Sequence, residues 1–323
     1  MTVDGVTNLD TGSNGSVHSM PSMDSVAELK VLSSNYGAEY GRNSGGTITV
    51  ITKGGGRRFH GSDSWYYRHE SLNADDIINN RAGRQRASYR YNINGYVISG
   101  PVIIPKMKSL GEKLFFFWSP QFQHQRVAYG TKTITIPTAI EHAGDFFLSF
   151  NTSFPNPKLI TINDPLQSSH QAWPEYSKHF PQPNYIDGNP TNRYQYNYFV
   201  SDAGGYNWRT EILRINYQIT LKWQAYFRLS NNADLRHAPY GFRVNGSVNF
   251  ALTSIAFAQP GRGATLHFTS TISPTVFDEI ILGVSQKTLT YDPDDLTKID
   301  RTATGINIPQ RNPSLNPLNI IPI

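Results

Sequence analysis

The sequence predicts an all-β fold, and three observations carry that prediction. Apolar and polar residues alternate over runs of strand length, as in Leu213, Ile215 and Tyr217 against Arg214, Asn216 and Gln218. Clusters of Gly, Asn, Ser and Pro, the residues that make turns, separate those runs. The 323 residues are only 38% hydrophobic yet 12% aromatic, with 18 Tyr and 17 Phe. That balance suits strands with one wet and one greasy face better than a dry soluble core.

Composition also excludes several chemistries. The formal net charge of +5 is modest for this length and does not by itself point to nucleic acid. Without cysteine there are no disulfides, thiolate metal sites or cysteine nucleophiles. No apolar run approaches the ~20 residues of a transmembrane helix. The start, Met1-Thr-Val-Asp-Gly-Val-Thr7, lacks the basic and apolar regions of an export signal.

The stretch from Ser25 to Gly56 organises the chain. Val26, Leu29 and Val31 belong to one short strand pattern, and Ile48, Val50 and Ile51 belong to another. The second lies within the β-branched run Thr47-Ile-Thr-Val-Ile-Thr52. Between them lies Ala38-Glu39-Tyr40-Gly41-Arg42-Asn43-Ser44-Gly45-Gly46, and three glycines end the second run. The segment resembles the end of the plug domain in a TonB-dependent outer-membrane transporter, and is similar to the Oar-like group of that family. Asn35-Tyr36-Gly37-Ala38-Glu39-Tyr40-Gly41-Arg42 and Gly45-Gly46-Thr47-Ile48-Thr49-Val50-Ile51-Thr52-Lys53 fit that family's turn and strand almost residue by residue. The motif residues so marked are Glu28, Lys30, Tyr36, Glu39, Tyr40, Gly41, Arg42, Gly45 and Gly46. Upstream, Val3-Asp4-Gly5-Val6-Thr7-Asn8 resembles a plug strand with a Val-Asp-Gly turn. A flexible polar leader is the other reading of residues 1–24.

From Arg57 the strand patterns lengthen. Phe59 to Arg68 is the first. Tyr89 to Val102 is the second, with Tyr91, Ile93, Gly95 and Val97 opposite Asn92, Asn94 and Tyr96. Lys113 to Gln123 is the third, and Pro120 weakens it. Residues 128–206 read as a long irregular region. In it Thr135-Ile-Pro-Thr-Ala-Ile-Glu-His-Ala-Gly-Asp-Phe146 and Phe180-Pro-Gln-Pro-Asn184 resemble family elements, with His142 where Arg is usual. Later strands alternate cleanly. Trp223, Ala225, Phe227 and Leu229 oppose Gln224, Tyr226, Arg228 and Ser230. Ala264, Leu266 and Phe268 oppose Thr265, His267 and Thr269. Ile280, Leu282 and Val284 oppose Glu279, Gly283 and Ser285. Apolar outside and polar inside is the pattern of a transmembrane barrel strand. The expected fold is therefore a partial antiparallel transmembrane β-barrel of about seven strands, residues 57–323, preceded by the C-terminal part of a plug domain, residues 1–56. The long extracellular loop is expected at about 128–206.

Other chemistry reads weakly. His60 and His69 have opposite strand parity and cannot converge on a metal. Gly54-Gly-Gly-Arg57-Arg58 lacks the Lys-Ser/Thr ending of a phosphate loop. Arg81-Ala-Gly-Arg-Gln-Arg86 reads as a solvated loop facing anionic lipopolysaccharide rather than as a nucleic-acid patch. Asp75-Asp76 and Asp294-Asp295 read as solvated loop acids. No catalytic residues, metal or cofactor are expected, and no enzyme.

The resemblance implies a bacterial outer-membrane location and energy-coupled uptake of a solute that the sequence does not identify. It also implies outer-membrane lipid and lipopolysaccharide as surroundings, and the TonB complex as partner of an intact parent whose binding segment is absent here. Arg214, Asn216, Gln224, Tyr226, Arg228, His267 and Glu279 are the candidate lumen-facing residues. The competing readings are a non-transport outer-membrane protein of adhesion or surface assembly, and a soluble all-β carbohydrate-binding module. An open sheet of seven strands leaves unpaired backbone groups along both edges, which lipid does not tolerate. Expressed alone, the chain is therefore expected to require detergent and to support no uptake. A soluble, monodisperse monomer on size-exclusion chromatography would contradict the membrane reading.

Overall fold

The computed structural model describes residues 1–10, 12, 15–33, 37, 45–75, 77, 80, 86, 88–103, 105, 111–128, 132–142, 150–151, 158–159, 177–178, 180–185, 197–200, 203–239, 253–305, 312–317 and 319–320. They form two compact units. The first comprises Met1–Arg126, Gly205–Arg236 and Ala258–Thr290; the second comprises Val127–Gly204, His237–Phe257 and Tyr291–Ile323.

The first unit begins with a small sheet. Strands β1 (Thr2–Val3) and β2 (Val6–Thr7) make a hairpin, and β3 (Val26–Leu32) and β4 (Thr47–Thr52) pair antiparallel. β1 joins the two by lying parallel to β4, giving the order β2-β1-β4-β3. The hairpin turn is Asp4-Gly5, with φ of 47° and 78°. Asp-Gly suits a two-residue turn in which both residues take positive φ. Residues 1–7 are thus an ordered hairpin and not a flexible leader. At the other end of the sheet Gly46 has φ 138°, and a Cβ there would lie 2.8 Å from the Leu32 carbonyl oxygen. A side chain there meets both strain and a clash.

Next come the wall strands: β5 (His60–Arg68), β6 (Tyr89–Pro101) and β7 (Leu114–Ala128). Pro120 lies buried inside β7 and does not end it. Four short strands follow, β8 (Lys132–Ile134), β9 (Phe150–Asn151), β10 (Lys158–Leu159) and β11 (Tyr198–Val200). Then come β12 (Ala203–Gln218), β13 (Trp223–Ala238), β14 (Ile255–Ala258), β15 (Gly261–Ser273), β16 (Val276–Lys287) and β17 (Thr290–Pro293). Seven of them follow one another across one sheet in the order β16-β15-β13-β12-β7-β6-β5. This is the expected antiparallel wall, and it is open at both edges.

Register shows why the wall holds. Leu213 faces Leu229, which faces Ala264, which faces Val284; Phe227 faces Leu266, which faces Leu282. These aliphatic rows lie on the solvent-exposed side, with Leu282 61% exposed, while Thr265 on the opposite side is 1% exposed. The polarity is inverted relative to a soluble sheet. Toward the loop end the apolar rows stop at a polar one, Glu211–Asn231–Arg262–Gln286. From Trp223 to Asn231 the rise is roughly 20 Å, taking ~3.4 Å per residue and a tilt of about 40°, close to the apolar band of a bacterial barrel. No helix among the described residues is long and apolar enough to cross a membrane, so any crossing belongs to the strands.

In the second unit β8 pairs with β11, β9 with β10, and β14 with β17. The one-turn helix α1 (Ala139–His142) opens with a capping box. Thr138 N–H donates to Glu141 Oε2 at 2.7 Å, and Glu141 N–H donates to Thr138 Oγ1 at 3.3 Å. Asn197 clips this segment by bonding both the N–H and the carbonyl of Ile136. The pair Asp294-Asp295 is structural and not merely solvated. Asp294 accepts from His237 and Ser254, and Asp295 Oδ1 accepts from Thr297 N–H.

In the first unit, the turn after β5 is held by Glu70. Its carboxylate takes Arg90 Nε and Nη2 at 3.0 and 2.9 Å and the Tyr89 N–H at 3.4 Å. The Arg90 contact holds the Glu70 carboxyl down at about 2. A depressed folded value means the contribution is complete above the ordinary 4.5 and is lost as pH falls toward 2. Amide exchange at Tyr89 should therefore be slow at pH 5 and accelerate, relative to intrinsic rates, between pH 4 and about 2. Glu70→Gln should abolish that step.

Candidate plug and wall interface

The polar side of the wall carries the N-terminal sheet. Its centre is Asp4, whose turn conformation aims the carboxylate inward. Thr52 N–H donates to Oδ1 at 2.8 Å and Thr52 Oγ1–H to Oδ2 at 2.6 Å, so Asp4 ties β1–β2 to the end of β4. On the wall side Arg228 Nε lies 3.2 Å from Asp4 Oδ2, with side chains 6% and 0% exposed. Arg228 Nη2 also donates to Thr265 Oγ1 at 2.7 Å and to the Val3 carbonyl at 3.4 Å. On the adjacent strand β12, Arg214 Nη1 donates to the Thr52 carbonyl at 2.8 Å, and its guanidinium lies 3.7 Å over the Tyr226 ring. Tyr226 meets His267 edge-on at 4.6 Å, and His267 Nε2 lies 2.6 Å from Glu279 Oε1.

The sequence-selected wall residues therefore sit together. Cross-strand pairing aligns Arg214 with Arg228, Asn216 with Tyr226, Tyr226 with His267, and Gln224 with Thr269, which aligns with Glu279. Asn216, Gln224, Tyr226 and His267 border a cavity of about 370 Å³ beside Gly55. Of the N-terminal motif, Glu28 and Lys30 lie exposed on β3, and Gly45 and Gly46 lead into β4. Tyr36, Glu39, Tyr40, Gly41 and Arg42 lie outside the described residues.

Close packing reinforces the polar contacts. A Cβ on Gly5 would lie 2.5 Å from Ile281 Cδ1, and one on Gly283 would lie 2.3 Å from Val6. Those two wall positions share the polar face, yet they carry Ile and Gly because they meet the hairpin. The chain then leaves the sheet through Gly54 and Gly55. A Cβ on Gly55 would stand 2.2 Å from the Phe116 carbonyl oxygen, so the exit segment is pressed onto the β7 backbone.

Several partners escaped sequence reasoning. Asp4 was legible only as a turn former, and nothing local marked its carboxylate as an anchor. Ser22 and Ser119 share a hydrogen bond of 3.0 Å, Ser64 donates to Asp24 at 2.8 Å, and Thr210 donates to the Met20 carbonyl at 3.0 Å. His18 Nδ1 lies 2.8 Å from Ser285 Oγ, and Lys287 Nζ donates to the Val17 carbonyl at 2.9 Å. Burial, and then the nearby Lys287 charge, lower the His18 pKa, with Asp10 opposing. His18 thus sits neutral in this contact. Among the described residues no three His, Cys, Asp or Glu side chains converge as metal ligands.

Removing one partner of a buried ion pair leaves the other uncompensated and costs about 3–5 kcal/mol. Asp4→Asn should therefore detach the N-terminal sheet while leaving the wall strands paired. Hydrogen exchange on the detergent-solubilised chain should show lost protection in β1 and β4 and retained protection in β13 and β15.

The geometry is that of a membrane wall, with aliphatic rows on one side and, on the other, polar groups that hold a small sheet. No curated protein and no solved structure matches the chain. The family described as "Outer membrane beta barrel domain" matches residues 51–322, which run from the end of β4 through every wall strand. The chain belongs to the outer-membrane β-barrel domain family.

Proposed function

We propose that the chain is the plug end and first wall strands of a TonB-dependent outer-membrane receptor that takes up a solute by energy coupling. The observation that supports this most is the docking of an independent four-stranded sheet on the polar side of the wall through Asp4, Arg228, Thr52 and Arg214. A channel that stays open needs no such sheet. A transporter that stays shut until energised needs one that is held firmly and can be released.

The holding residues fit that task. Arg228 and Arg214 reach the sheet from adjacent strands and engage only Asp4, Thr52 and Val3 on it. A pull on the N-terminal sheet loads these ionic and hydrogen-bonded contacts together with the close packing of Gly5 and Val6 against Ile281 and Gly283. Releasing them exposes the polar groups of the wall, which can bind water and solute. In this reading Asn216, Gln224, Tyr226, His267 and Glu279 line the path so opened.

These 323 residues hold no cysteine, so with any cysteine elsewhere in the parent replaced, one introduced thiol reports on this sheet alone. Val50 is buried in β4. In cells carrying the intact parent with Val50→Cys, a thiol-reactive maleimide should label the residue only when the proton gradient is intact. Labelling should rise when a mixture of siderophores, cobalamin and oligosaccharides is supplied, and should fall to background with a protonophore. Labelling indifferent to the protonophore would remove the energy-coupled reading.

A further inference from the structure

The outward side of β5 and β6 departs from the rest of the wall. Ser64 on β5 reaches Asp24, in the turn before β3, so its neighbours Trp65 and Tyr67 point the other way, to the side that elsewhere carries aliphatic rows. There Trp65, Tyr67 and His69 form a ladder. Trp65 and Tyr67 ring centres are 6.1 Å apart, and Tyr67 and His69 are also 6.1 Å apart and nearly parallel at 27°. Trp65 is 68% exposed and Tyr67 52%.

The rings are fixed at their edges. Trp65 Nε1–H donates to Asn92 Oδ1 at 2.7 Å. The Ser71 backbone N–H donates to His69 Nδ1 at 3.1 Å, so that nitrogen is an acceptor and the ring proton sits on Nε2. Glu70 and Arg90 lock the turn beneath. Beside the ladder is a hollow of about 420 Å³ bordered by Tyr67, Arg68, His69, Leu72, Asn73 and Tyr89. A recess of that size holds a small ring system.

The neighbours decide what the ladder meets. Lipid-facing Phe227 is paired with Leu266, but Trp65 is paired with Asn94 and Tyr67 with Asn92, and Asp63 precedes them on the same face. The amides and the Asp63 carboxylate beside the rings are costly to bury among acyl chains. Rigid exposed rings flanked by amides, a guanidinium and a ring N–H suit a ligand with apolar C–H faces and many hydroxyls. We propose that this face of β5–β6, at the loop end, binds the sugar headgroup of a neighbouring outer-leaflet glycolipid. A carbohydrate on this side of the wall comes from the surrounding membrane and not from a solute in transit. The site does not depend on the uptake reading, and a failed transport assay would leave it standing.

The test uses the full chain folded in detergent and three probes: purified lipopolysaccharide, the oligosaccharide released from it by mild acid, and phosphatidylglycerol micelles. Subtracting the fluorescence of Trp65→Phe from that of the wild type isolates Trp65. The expected result is a saturable change in the Trp65 signal with the lipopolysaccharide and with its free oligosaccharide, and none with phosphatidylglycerol. The double substitution Trp65→Ala and Tyr67→Ala should weaken lipopolysaccharide binding about tenfold or more, equivalent to roughly 1.4 kcal/mol. Its circular dichroism should match the wild type. Should that variant not fold, the Trp65 difference signal still decides. No Trp65 response to either sugar probe, an equal response to phosphatidylglycerol, or unweakened binding by a folded double variant would each overturn the proposal.

Discussion

The Asp4 carboxylate is the point on which the first unit depends. It is shared between Thr52, at the end of β4, and Arg228, in the middle of β13. An ion pair this deeply buried gains its Coulomb attraction at a large desolvation cost, and it persists only where hydrogen bonds satisfy both partners. Here they do. Asp4 takes two donors from Thr52, and Arg228 adds Thr265 and the Val3 carbonyl. The pair is better read as a device for position than as a source of net stability. It fixes which row of the wall the hairpin sits on, and Ile281 and Gly283 are shaped to that row.

The wall's other face obeys a different constraint. Every strand presents two solvents at once, hydrocarbon on one side and polar protein on the other, and the period of two along a strand serves both. Leu213, Phe227, Leu266 and Leu282 would be misplaced on a soluble sheet, as would a buried Arg228 facing its interior. Together they are consistent with a wall between lipid and a polar lumen. The exception at β5–β6, where Asn92 and Asn94 stand beside Trp65 and Tyr67, shows that the outward face is not uniform in its chemistry.

Much of the fold was legible because it rests on local signals. Alternation marked the later wall strands, and their two faces follow from parity, whereas the continuous apolar start of β7 carries no such signal. Gly and Asn marked the turns. The wall half of the interface was also legible, since Arg214, Arg228 and His267 on a strand with an apolar opposite face must point somewhere polar. The other half was not. Asp4 looks like any Asp before Gly in a hairpin, and its partner lies more than two hundred positions away. Serines such as Ser22 and Ser119 carry no signal of pairing. Pro120 misled in the opposite direction: a residue that usually ends a strand is accommodated within β7.

The distance in sequence between the two halves of the interface bears on how the molecule is made. Asp4 finds Thr52 across 48 residues, but Val3 and Arg228 are separated by 225. Contacts between remote residues form slowly because a long loop must close first. The small sheet can therefore assemble while the wall is still incomplete, held by Thr52 alone. Arg228 and Thr265 arrive only with β13 and β15. Until then the Asp4 carboxylate has no counter-charge, and the wall's unpaired strand edges invite pairing with other chains. Biogenesis, more than the finished structure, is where this architecture is most exposed to error.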